Sequence, residues 1–117
     1  MGLTYAQVRV TGSKASEELQ LLVDTGSLYT WIHGRVLDNL GASGLGERRF
    51  RTIEGRDITR RVGEAVIESS GERATRIVVF AEEGDAQVMG ADSLEGLGLE
   101  LDPTTRRLKK VEAFIAY

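Results

Sequence analysis

Leu21-Leu22-Val23-Asp24-Thr25-Gly26-Ser27 sets a carboxylate, two hydroxyls and a glycine at the end of an apolar run. Leu19, Leu21 and Val23 alternate into the acid, so a strand delivers Asp24 to a fixed point. A carboxylate held in this way is suited to general acid–base work on water. Gly26 lets the backbone turn sharply and approach its surroundings closely, because it carries no Cβ. Thr25 and Ser27 supply hydroxyls that can hold the carboxylate or its neighbours by hydrogen bonds. The plain alternative is a strand-ending turn, in which Asp and Gly are ordinary residues. Farther along, Gln87-Val88-Met89-Gly90-Ala91-Asp92-Ser93-Leu94 repeats part of the pattern: apolar residues, then a glycine.

The elements that must position these residues read as short strands with turn signals between them. Ala6, Val8 and Val10 alternate with Gln7 and Arg9 in a first strand, and Gly12-Ser13 opens a turn. Tyr29-Thr30-Trp31-Ile32 is a further strand after the acid corner. Val36, Leu37 and Leu40 lie at helical spacing before Gly41, which predicts a short helix with a glycine stop. Residues 41–46 read as a loop. Residues 50–53 and 58–67 form a polar hairpin about Glu54-Gly55-Arg56, and Ser69-Ser70-Gly71-Glu72 turns into the apolar run Ile77-Val78-Val79-Phe80. A short helix over 91–97, with Asp92 as its cap, precedes a turn at Asp102-Pro103-Thr104-Thr105 and a last strand over 108–117. Trp31 is assigned to the core, and His33 to the surface with no role.

Composition bounds the functions available. A chain of 117 residues with no linker is expected to be one domain over 1–117. Acids and bases are interleaved at a net charge of −3, which argues against a nucleic-acid partner, since that needs clustered Lys and Arg. The absence of cysteine excludes thiol chemistry and disulfides, and a single histidine argues against a His-rich metal site, so neither metal nor cofactor is expected. No signal peptide or membrane span is read, and a cytoplasmic protein is the default. Twelve arginines against three lysines suit a thermophile, but a GC-rich genome produces the same bias.

Taken in order, these segments resemble the retropepsin-like (retroviral-type) aspartic proteases along nearly the whole chain. The family's catalytic corner matches Asp24-Thr25-Gly26, its flap matches the hairpin about Gly55, and its conserved apolar-apolar-Gly before a short helix matches Val88-Met89-Gly90. The resemblance implies an all-β fold: a small closed barrel-like lobe with a flap hairpin and one or two short helices. It also implies an aspartic endopeptidase active as a homodimer, one Asp24 from each subunit. The chain length agrees, because it holds one such lobe and not the two of a pepsin-like enzyme. Two carboxylates brought together share one proton. The ionised member then activates water to hydrolyse the peptide bond, and the protonated member polarises the scissile carbonyl. By the same resemblance Thr25 and Gly26 complete the catalytic corner, and Ser27, Ile53, Glu54, Gly55 and Arg56 contact an extended, partly apolar peptide. Ile58 is the alternative to Ile53 for contact with the peptide's side chains, and Gly90 supports the corner. Terminal strands, residues 4–10 or 111–117, are expected to add dimer interface. The chain departs from the viral pattern at Leu28 and Tyr29, where acids are usual, and at Ala91, where an arginine is usual. The two ends of one ion pair are thus replaced together, which leaves substrate preference open.

Two other readings remain at this point. A non-catalytic module for dimerisation or peptide binding would keep the fold but has no need of an intact acid corner. The phosphate-binding hairpin of an actin-like ATPase or sugar kinase also uses Asp-Thr-Gly-Ser, but such domains need far more chain and further nucleotide motifs.

Overall fold

The computed structural model describes residues 3–117. Its first two strands, β1 (Tyr5–Thr11) and β2 (Ser16–Val23), pair antiparallel from Tyr5 opposite Leu22 to Thr11 opposite Ser16. Ala6, Val8 and Val10 face inward and Tyr5, Gln7 and Arg9 outward, as a strand with one buried face requires. Then follow β3 (Thr30–His33), α1 (Gly34–Leu40), β4 (Ser43–Arg51), β5 (Asp57–Ser69) and β6 (Glu72–Ala81). The chain ends with β7 (Val88–Met89), α2 (Ala91–Leu97), β8 (Leu99–Leu101) and β9 (Leu108–Lys110).

Seven strands form one sheet in the order β1-β2-β7-β3-β6-β5-β4, and a further pairing of β1 with β5 closes six of them into a ring. The fold is therefore mostly β, with two short helices against the sheet. Inside the ring, Val8, Val10, Leu21, Ile32, Ile67, Val78 and Met89 are fully shielded from solvent, and Leu94 and Leu97 of α2 pack onto them. The short β7 lies between β2 and β3, parallel to the first and antiparallel to the second. The strand entering the acid corner and the strand leaving it are thus held apart by Val88-Met89. β5 serves two parts of the molecule. Its first half pairs with β4 in a projecting hairpin, and its second half joins β6 and β1 in the ring.

Several sequence expectations need correction. The loop over 41–46 gives way to strand from Ser43 onward. β4 continues the pairing of β5 past a register shift between Gly44 and Gly46, and that pairing outweighs the local preference of two glycines for a turn. The last strand stops at Lys110 because its partner β8 is only three residues long, and the Val111 N–H on Gly98 O ends their ladder. Residues 111–117 form no strand with the rest of the chain. Helix α1 ends at Gly41 and α2 spans Ala91–Leu97, both as the sequence predicts. No helix among the described residues is long and apolar enough to cross a membrane.

Candidate active site

Asp24 follows the last residue of β2, and its backbone is tied on both sides. Its N–H donates to Met89 O at 3.0 Å, continuing the β2–β7 ladder by one residue. Its carbonyl accepts from the N–H of Ser27 at 3.1 Å, which closes the turn. The Gly26 N–H donates to Asp24 Oδ1 at 2.9 Å and aims the carboxylate. Asp24, Thr25 and Gly26 are all exposed, so this corner presents its acid to solvent from a hydrogen-bonded turn.

The support beneath the corner comes from α2. Its first amides need acceptors, and no side chain caps it. The corner loop supplies carbonyls instead: Ala91 N–H donates to Ser27 O and Asp92 N–H to Leu28 O, each at 2.8 Å. Gly90 N–H donates to Thr30 Oγ1 at 3.1 Å, and that hydroxyl lies 2.6 Å from Ser93 Oγ in a fully buried pair. Gly90 sits so close to the loop that a Cβ there would lie 2.3 Å from Tyr29 O and 2.8 Å from Ser27 O. Gly90 is therefore packed directly against the corner loop. Asp92 does not cap the helix: its carboxylate takes two hydrogen bonds from Arg76 of β6, at 2.7 and 3.2 Å. Loop and helix are thus joined through backbone groups. Tyr29 turns toward the hairpin, its hydroxyl accepting from Arg48 Nη1 at 2.9 Å.

The hairpin of β4 and β5 closes at residues 52–56. Thr52 N–H donates to Arg56 O at 2.8 Å, Gly55 N–H to Thr52 O at 2.9 Å, and Arg56 N–H to Thr52 Oγ1 at 3.1 Å. Gly55 takes φ +86°, a left-handed conformation that favours glycine, with open space around it. Between this tip and the corner lies a cavity of about 400 Å³. Asp24, Gly26 and Ser27 form one side of it, and Ile53, Arg56 and Ile58 another. Thr25, Glu54, Gly55 and Gly90 lie outside the wall.

Some wall residues went unrecognised in the sequence. Trp31, assigned there to the core, is half-buried and faces the cavity, with Phe50 of β4 edge-on at 5.1 Å. Its exposed edge depends on a neighbour from a distant strand, which no local pattern reveals. Asp85 also lines the cavity, and Arg60 of β5 grips its carboxylate through Nε at 2.7 Å and Nη2 at 3.0 Å. The Arg60 guanidinium holds the Asp85 carboxyl below the usual carboxylate range, against the upward pull of burial and with help from the Glu82 N–H. The same bond raises the pKa of Arg60, which stays charged. No acid-and-glycine signal marks Asp85, because its setting depends on Arg60 of β5.

Neither a family model nor a curated protein matches this chain. The geometry of the corner, its support and the hairpin over it therefore carries the functional reading.

Proposed function

We propose that this chain is one lobe of a retropepsin-like aspartic endopeptidase, completed by a second copy of itself. One observation carries the reading: an exposed carboxylate, aimed by the Gly26 amide, borders a cavity covered by a hairpin. An extended peptide fits between hairpin and corner, where it can pair with strand backbone. Asp24 then serves as half of an acid pair. Its ionised form takes a proton from water as the water attacks the scissile carbonyl, and its protonated counterpart donates to the developing oxyanion.

The second acid must come from elsewhere. Asp85 is the other carboxylate at the cavity wall, but its two oxygens are occupied by Arg60 and Glu82. A carboxylate held ionised in this way is a poor partner for a shared proton. A two-fold dimer that brings two Asp24 corners together supplies the acid without it. The exposed corner, with Leu28 at 62% exposure beside it, leaves a face for that contact.

The test is peptide hydrolysis across acidic pH by the wild type and by Asp24→Asn. The amide keeps the shape but removes the base and the shared proton. The wild type should show a bell-shaped profile set by the two macroscopic ionisations of the pair, and the variant should be inactive while still folded. Full activity in Asp24→Asn, on protein free of contaminating proteases, would refute the assignment.

A further inference from the structure

The hairpin over the cavity carries a charge opposite to that of the chain as a whole. Residues 47–61 hold six arginines and three acids, a net of +3 in a chain of net −3. Two of these arginines, Arg51 and Arg56, reach the cavity wall, where the acids are Asp24 and Asp85. Most of these charges already have a partner or a task. Asp85 is gripped by Arg60, and Arg51 pairs with Asp57 across the hairpin at 2.8 Å. Asp24 is the acid assigned to the chemistry. Arg56 makes no salt bridge among the described residues. Its backbone is nonetheless fixed at both ends, its N–H on Thr52 Oγ1 and its carbonyl on Thr52 N–H, so the guanidinium projects from a bonded turn.

A guanidinium at the wall of a peptide cleft accepts a carboxylate bidentately and repels a lysine. Beside it, Trp31, Ile58 and Val88 offer an apolar surface. The geometry points to a peptide that carries an acidic side chain next to an apolar one close to the cleaved bond, with Arg56 reading the carboxylate. The net charge of the hairpin adds a longer-range pull on the same class of peptide. This preference rests on the cleft being a peptide site, as proposed above, and not on the acid chemistry itself.

Trp31 is the single tryptophan of the chain and lines the cavity, so its fluorescence reports occupancy. Peptides built on one extended frame containing Leu and Phe, with Glu, Gln or Lys scanned along it, are titrated into full-length Asp24→Asn. The same set is offered for cleavage to the chain with Asp24 intact. At one position the Glu peptide should bind about tenfold more tightly than the Lys peptide, and kcat/KM should follow the same order. Arg56→Glu, made in both backgrounds, should reverse that order. Equal affinity for Glu and Lys at every position, or an order unchanged in Arg56→Glu, overturns the inference. Charge-selective binding without cleavage would leave it standing and refute the peptidase reading. Cleavage without charge preference would do the reverse, and neither binding nor cleavage would overturn both.

Discussion

Asp24 and Gly90 illustrate two ways in which one residue shapes the corner. Asp24 owes its placement to local sequence: β2 ends there, and Gly26, two residues on, returns a backbone amide to Oδ1. Gly90 acts from far along the chain, by letting α2 approach the loop at a distance that admits no side chain. Gly90→Ala should therefore push the loop and the helix apart and destabilise the fold by about 2–4 kcal/mol. Gly55→Ala meets only open space, and its left-handed φ limits the cost to about 1 kcal/mol. Urea denaturation of the two variants beside the wild type checks the contrast, and equal losses would contradict it. The same contrast explains what the sequence reveals at this scale. Asp24-Thr25-Gly26-Ser27 is legible because each residue acts on its neighbours. Asp85 is not, since its grip by Arg60 joins residues from different elements, and neither does Asp92 betray its partner Arg76.

Among the elements, β5 links the parts that must cooperate. One strand supplies the hairpin over the cavity, the wall residue Ile58, and through Arg60 a clamp on the loop that carries Asp85. Arg60→Gln tests that clamp. The folded Asp85 carboxyl titrates below its unfolded value, so the pair stabilises the fold above about pH 4 and stops doing so as pH falls through the folded value. At neutral pH the substitution should lower stability by about 1–3 kcal/mol, because a partly buried carboxylate loses its partner. The gap between variant and wild type should narrow below about pH 4. Denaturation measured over a pH series checks this, and a gap independent of pH would contradict it. Elements with a strong period or a glycine stop are legible in the sequence: β1 by its alternation, α1 by its end at Gly41, α2 by its span after Gly90. β4 is not, because Gly44 and Gly46 signal a turn locally while the length of β5 decides how far the ladder runs. The end of the chain is misread for a related reason, since β8 is too short to pair with a longer strand.

At the scale of the whole molecule, the cavity under the hairpin has two acids at its wall, and of these Asp24 alone has no arginine on its carboxylate. Asp85 is committed to Arg60, and the corner around Asp24 faces outward. On the proposed mechanism two such corners meet, and each dimer needs both acids. Mixing wild-type and Asp24→Asn chains at constant total concentration, after full subunit exchange, tests this most directly through the rate of peptide hydrolysis. Activity should fall as the square of the wild-type fraction, to about one quarter in an equal mixture, because only dimers with two acids work. A rate that falls in simple proportion, to about one half, would mean that each chain acts alone and would contradict the shared acid pair.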